Sequence, residues 1–477
     1  MDEFSAGGGG FFSNPVFTLT AVIVLSTAVL GILAVLFGRK ICTWLRRRLL
    51  RGAAENPYED IETMIEPSRR PISSIPQVTK AIEKMTGEKN FDAVRFLHYI
   101  IAQSHNLAAS DMHLTPTPEG VSIAMRIEGN LYDIGSLPAV LVDSVLRRIK
   151  VMARLDLYAR ETPQDGRISI KMKEDLDIRV ALIPTIHGEK CVLRFFVTPV
   201  HLLSLGNLGF NPDTLQRYMD LLLRPQGMIF LTGPTGSGKT MTAYASLNTI
   251  KEKKSGKVNI VTIEDPVEFN LSFANQTQVS DKTNLTFALG LKSLLRQDPN
   301  VIMVGEIRDP ETAEIAMQAG LTGHLILSSV HADSNAGVFA RLLNMGVEPF
   351  ALASASSGVL AQRLVRKLCP HCKQPARATA AQLKRLSELG VELPGDDRSF
   401  WASTGCPRCL NLGIIGRTGI YELLAVDNEV GEAIIAKSQA HAITALALRK
   451  GMKPLVSEGL DKAREGVISL DELLTAL

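Results

Sequence analysis

Net charge is the first thing this chain has little of: 52 Lys and Arg against 49 Asp and Glu leave +3 over 477 residues. Aromatic residues are scarce as well, at 5%. A nucleic-acid groove needs a concentrated positive field and rings on which bases stack, so both shortages argue against one. Cysteine is limited to six, four of them in two Cys-x-x-Cys pairs, which excludes the disulfide framework of a small secreted scaffold. No internal repeat is visible, and the length predicts roughly three or four domains.

Long apolar runs are also rare, and the one that stands out is at the start. Val16 to Phe37 is an uncharged run of 22 residues, 14 of them Leu, Ile, Val or Phe. At about 1.5 Å per residue it reaches about 33 Å as a helix, enough for a hydrocarbon core of roughly 30 Å. The preceding residues hold no Lys or Arg, whereas Arg39, Lys40, Arg46, Arg47, Arg48 and Arg51 follow. A cleaved signal peptide wants the opposite start and a shorter run, and nothing flanking the run would bury it as a core helix. The pattern predicts a short extracytoplasmic tail (1–15), a transmembrane helix (16–37) and a cytoplasmic remainder. Residues 38–90, basic and then proline-containing, are expected to be a juxtamembrane segment and flexible linker.

Residues 91–199 mix periods. The run from Phe91 has helical spacing, Val121–Ile127 alternates, helix returns over Leu141–Leu157, and strands are expected at Asp177–Ile183 and Cys191–Val197. This predicts a small α+β domain. From residue 200 to 477 strand and helix patterns alternate, with strands expected at Met228–Thr232, Val258–Ile263, Val301–Val304 and Leu325–Val330. Alternation of that kind predicts an α/β domain on a mostly parallel sheet.

The strand at Met228 runs into Gly233-Pro234-Thr235-Gly236-Ser237-Gly238-Lys239-Thr240, and a helical run follows. That context makes the glycine-rich segment a phosphate-binding loop, with ATP as the expected ligand. Glycines let backbone N–H groups turn inward at a helix N-terminus. Lys239 is expected on the β- and γ-phosphates, and the Thr240 hydroxyl on Mg²⁺. The competing reading is a glycine-rich turn.

Ligands of open α/β sheets gather at the carboxyl ends of strands. There the sequence offers Glu264, Asp265 and Glu268 after one strand, Glu306 after the next and His331 after a third. The first group is expected to hold Mg²⁺ through water or to orient the attacking water, or else is a solvated acidic loop. Glu306, in a Walker B-like strand whose usual Asp is Gly305, is the expected water-polarising residue; its rival reading is an ion pair with Arg308. His331 is placed to sense the γ-phosphate. His324 begins the strand that His331 ends, so geometry alone leaves it open to a structural role. Arg167, Arg179 and Arg194 are candidates to approach the terminal phosphates, against the commoner reading of surface ion pairs.

Cys369-Pro-His-Cys372 and Cys406-Pro-Arg-Cys409 have the spacing of two zinc knuckles. Four thiolates fill a tetrahedral Zn²⁺, so the site is expected to be structural, within an insertion at 366–412. A redox pair or an iron–sulfur cluster are the alternatives, and His371 is expected to be a spectator.

Together, Ala109-Ser-Asp-Met-His113, Pro163-Gln-Asp-Gly-Arg167, Gly233–Thr240, Thr262–Glu268, Leu294–Arg308, Thr322-Gly-His-Leu325 with His331, and Ala361–Val365 resemble the secretion ATPases of type II secretion and type IV pilus assembly, over about Phe91 to Leu477. The resemblance implies a RecA-like ATPase core with a preceding PAS-like domain, assembled as a homohexamer. It further implies ATP-driven assembly or extrusion of pilin-like subunits through an inner-membrane platform protein. It puts Glu264, Glu268, Glu306, His324 and His331 in the site and matches Arg179 and Arg194 to arginines that complete nucleotide pockets. The tetracysteine insertion is typical of the assembly and secretion branch. Two features depart from the family. A transmembrane run stands where a soluble adaptor-docking domain is usual, which implies self-anchoring at the bacterial inner membrane, and the histidine box reads His331-Ala-Asp-Ser instead of His-Thr-Asn-Asp. The rival function is a DNA-translocating or conjugation-type ATPase of the same superfamily, disfavoured by the neutral, aromatic-poor composition. A non-catalytic scaffold is disfavoured by intact Lys239, Thr240 and Glu306.

Overall fold

A computed structural model describes residues 75–170, 176–197, 200–393 and 399–477, together with Ile61. The expected tail, the apolar run 16–37 and most of the segment after it lie outside the described residues. Among the described residues, no helix is long and apolar enough to cross a membrane. The far end of the expected linker is ordered: Ile75–Thr86 is a helix with Val78 and Ile82 buried, packed on the strand Asn130–Pro138.

The first sheet is wholly antiparallel. Its strands are β1 (Ala109–Thr117), β2 (Gly120–Ile127), β3 (Asn130–Pro138), β4 (Gln164–Ile170), β5 (Leu176–Thr185) and β6 (Gly188–Val197), in the order β3-β2-β1-β6-β5-β4. One face is covered by helices Ala93–Asn106 and Ala139–Ala153. In β5, Leu176, Ile178, Val180 and Leu182 point into that core, so Arg179 is forced onto the open face. Asp92 starts the first of these helices by accepting from the N–H groups of Val94 and Arg95.

The second sheet holds β7 (Gly227–Thr232), β8 (Ile260–Glu264), β9 (Asn275–Gln278), β10 (Val301–Glu306), β11 (Leu325–Ser329), β12 (Ser356–Leu368) and β15 (Ile414–Ala425). Their order is β15-β12-β7-β11-β10-β8-β9, parallel except for β12 with β15. Successive residues feed opposite cores. Phe230, Ile263, Ile302 and Ile326 pack on one side, and Leu231, Ile260, Met303 and Leu327 on the other. Both faces are therefore covered, which is why these strands read as continuous apolar runs. Each such side chain stabilises by about 1.5–3 kcal/mol when fully buried.

The four expected strands are present, within about two residues. The pair β12–β15 was not anticipated as strand. Gly358, Ala361 and the Gln362-Arg363 step interrupt its β pattern, and the antiparallel pairing of Gly358–Leu368 with Ile414–Ala425 supplies what local propensity does not. Between them, β13 (Lys373–Arg377) and β14 (Ser399–Ser403) form a separate ribbon.

Candidate active site

The carboxyl ends of β7, β8, β10 and β11 open onto a cleft of about 1740 Å³, closed on its other side by His105, Glu128 and Phe195 of the antiparallel region. At the rim the Gly416 N–H donates to the Glu128 side chain, Oε1, at 2.8 Å and so joins the two regions.

The phosphate loop crosses from β7, all six of whose residues are buried, to the helix Lys239–Lys253. Gly233, Gly236 and Gly238 hold φ of 145°, 79° and 90°, which side-chain-bearing residues rarely adopt. A Cβ at Gly233 would lie 2.4 Å from the Gln362 carbonyl oxygen, whereas one at Gly236 would meet nothing within 4 Å. The loop is thus packed from beneath and open above, as a phosphate cradle requires. Lys239 Nζ donates to the carbonyls of Gly233 at 2.7 Å and Pro234 at 3.0 Å. Burial lowers the lysine's pKa, and the charge of Glu306 opposes that shift.

Glu306 ends β10 with its side chain 12% exposed, ion-paired to Arg308 and 3.6 Å from His331 Nε2. Gly305 before it cannot be larger without crowding the backbone of Ile263 and Glu264, where a Cβ would come within 3.3 Å. Both readings of Glu306 are therefore physically present: it pairs with Arg308 and it lines the cleft. His331 follows β11, and its loop is tied to the end of β7 by Thr232, whose hydroxyl donates to the Ala332 carbonyl at 3.0 Å.

Glu264 differs. Its residue is 2% exposed, and it accepts from the Tyr244 hydroxyl, from Thr262 Oγ1 at 2.5 Å and from Gln276 Nε2 at 3.0 Å. With those donors in place it braces β8, β9 and the phosphate-loop helix together. Burial, then the hydrogen bond to Glu264, pushes the Tyr244 hydroxyl far up, so it remains a donor. Tyr244 and Gln276 had no motif to mark them; each is named only by what it touches.

Glu268 is half-exposed, 3.8 Å from Arg179. His324 is not brought to this mouth. It precedes β11, its Nδ1 3.1 Å from the Ala319 carbonyl oxygen, and five strand residues of about 3.3 Å each separate it from the carboxyl end. Arg194 and Arg179 are cross-strand neighbours on β6 and β5. Arg194 Nε donates to Asp111 Oδ1 at 2.8 Å, and Arg167 forks onto Asp177. Neither Arg179 nor Arg194 lines the cleft.

A family model described as Type II/IV secretion system protein matches residues 88–475. The chain belongs to that family. It is 41% identical over 394 residues to the type II secretion system ATPase E of Vibrio cholerae serotype O1, covering 82% of this chain and 76% of that one. To the type II secretion system protein E of Pseudomonas aeruginosa it is 42% identical, covering 83% and 78%. To the type IV pilus assembly ATPase PilB of Thermus thermophilus it is 41% identical over 80% of this chain, but spans 42% of that protein. Among solved structures, the Legionella pneumophila ATPase DotB aligns with a TM-score of 0.58 at 20% identity, covering 81% of this chain and 96% of that one. The pilus retraction motor PilT aligns at 0.55 and 23%, covering 79% and 96%. These last two establish a shared fold. The protein is an ATPase of the type II/IV secretion family.

The two Cys-x-x-Cys pairs come together, as their spacing led one to expect. Cys369, Cys372, Cys406 and Cys409 bring their sulfurs within 4.8 Å of one another. Three separations are 3.9, 3.8 and 3.7 Å. Tetrahedral bonds of about 2.3 Å put sulfurs about 3.8 Å apart, so the set fits a metal ion of zinc's size. The N–H groups of Cys406 and Gly413 both point at Cys409 Sγ, at 3.2 Å. Burial works against them, but they draw that thiol down to about 7. His371 contacts Arg408 and stays outside the cluster.

Proposed function

We propose that this ATPase hydrolyses Mg²⁺–ATP in the cleft between its two regions to power assembly or extrusion of pilin or pseudopilin subunits. The convergence of Lys239, Thr240, Glu306 and His331 on one cleft, above an open glycine loop, carries the reading. Lys239 neutralises the terminal phosphates, Thr240 ligates Mg²⁺, and the ion supplies charge neutralisation there. Glu306 polarises the attacking water, with Arg308 and His331 fixing its carboxylate. Glu264 holds the loop helix in register, and Glu268 stands at the mouth, tied to Arg179 outside it.

Arg179, Arg194 and His324 lie off the cleft in a single chain, and their roles are assigned to contacts between protomers of a homohexamer, the assembly expected of this family. The four cysteines hold Zn²⁺ structurally. Purified protein should contain one zinc per chain by elemental analysis, and Cys372→Ser should lose it; metal-free protein with an unchanged melting point would end the zinc assignment. The apolar run 16–37 anchors the ATPase to the inner membrane, its catalytic regions in the cytoplasm, beside a platform protein. Release of the full chain from membranes by carbonate would refute the anchor.

The test of the activity is magnesium-dependent phosphate release by the purified oligomer, with Lys239→Ala abolishing nucleotide binding. DNA-stimulated release without any effect of platform protein would favour the translocase instead.

A further inference from the structure

Gln362 sits in mid β12, 1% exposed, and has no part in the roles assigned above. Its Nε2 donates to the Ser237 carbonyl at 2.7 Å. Its own carbonyl oxygen supports Gly233, where a Cβ would come within 2.4 Å, and its Nε2 backs Gly238, where one would come within 3.3 Å. One residue thus touches the first glycine and the last of the phosphate loop. Beside it, two buried polar atoms, Gln362 Oε1 and Ser237 Oγ, have no protein partner. The point is polar, buried and built around the loop.

Peptide planarity gives this contact its meaning. In a trans peptide the carbonyl and the following N–H point in opposite directions. A Ser237 carbonyl gripped by Gln362 therefore turns the Gly238 N–H away from β12, toward the inside of the cradle. Without the grip, the Gly238 peptide is free to rotate, because glycine penalises few conformations.

We infer that Gln362 is a positioning residue for nucleotide: it fixes the Ser237–Gly238 peptide so that its N–H faces the phosphates. The inference rests on the ATP reading, and binding separates the two. The phosphate contact exists in the ground state and the transition state alike, so its loss raises KM with little change in kcat.

The experiment titrates full-length protein with the Mg²⁺ complex of a fluorescent, N-methylanthraniloyl-labelled ATP and follows phosphate release in parallel. Gln362→Met, similar in size but without a donor, should bind about tenfold more weakly, as loss of one buried hydrogen bond predicts, with kcat within about twofold. Wild-type affinity in that variant, or a fall in kcat at constant KM, would overturn the assignment. Gln362→Glu adds a readout that mere packing does not give. Its carboxyl donates to Ser237 only when protonated, so its affinity should approach wild type as pH falls and worsen as pH rises through a pKa raised by burial. A ratio to wild type that is flat with pH would overturn the inference even if the Met variant does not fold. Wild-type protein that ignores the analogue would strike down the ATP reading, and this inference with it.

Discussion

The ends of β8 and β10 lie side by side, Ile263 opposite Val304, and each delivers a glutamate, yet the two are built oppositely. Glu264 turns into the protein and is satisfied by Tyr244, Thr262 and Gln276. Glu306 turns into the cleft, against one arginine and one histidine. A buried carboxylate surrounded by donors is a structural brace, because removing it leaves several donors unpaired. A carboxylate that lines the cleft, held by a largely exposed arginine, is placed to meet water. Identical side chains one strand apart thus do different work, and the neighbours decide which.

Glu306→Gln breaks the comparison hardest. It should slow phosphate release by about 10²–10⁴-fold while leaving the melting temperature nearly unchanged; a calorimetric scan beside a phosphate assay reads both. Glu264→Gln should do the reverse. It weakens a charged, buried acceptor, costing about 1–3 kcal/mol, or about 2–4 °C per kcal/mol for a domain of this size, with hydrolysis reduced less than tenfold. Equal kinetic losses from the two variants would erase the distinction.

Tyr244→Phe sharpens it further, at about 1 kcal/mol, and carries a pH signature. The hydroxyl's pKa is raised in the fold, so its stabilisation is complete below the ordinary tyrosine value near 10 and declines as pH rises above it. The Phe variant should therefore lose stability less steeply between about pH 10 and 12, although Tyr218 and Tyr421, also raised by burial, keep their share of the slope. Urea melts at several pH values would show it, and an unchanged slope would remove Tyr244 from the brace. The smallest effect belongs to Arg308→Ala. Its guanidinium is largely exposed, so the pair is screened by salt, and a loss of only a few-fold in hydrolysis is expected, shrinking at high ionic strength.

How much of this was legible in the sequence follows from the range of the forces involved. The phosphate loop, the four parallel strands and the cysteine cluster are encoded locally: glycines at required positive φ, apolar runs of strand length, and ligands at fixed spacing. Glu306 and His331 were legible because strand ends in a parallel sheet all open on one side. The same rule sends His324 to the far end of β11. What the sequence hid is long-range. Gln276 reaches Glu264 from a short edge strand, Gln362 reaches Ser237 across 125 positions, and β12 becomes a strand through its pairing with β7 and β15. The arginines show the same limit: Arg179 and Arg194 are set by the alternation of their strands, but Arg194 meets Asp111 through strand pairing and Arg179 meets Glu268 through packing between regions.

The most direct measurement is magnesium-dependent phosphate release by the purified wild-type oligomer and by Glu306→Gln, each with nucleotide binding measured in parallel. The account predicts that both bind ATP and that the variant turns over at least a hundredfold more slowly. Equal turnover, or a wild-type oligomer that releases no phosphate with magnesium, lipid and platform protein supplied, would contradict it.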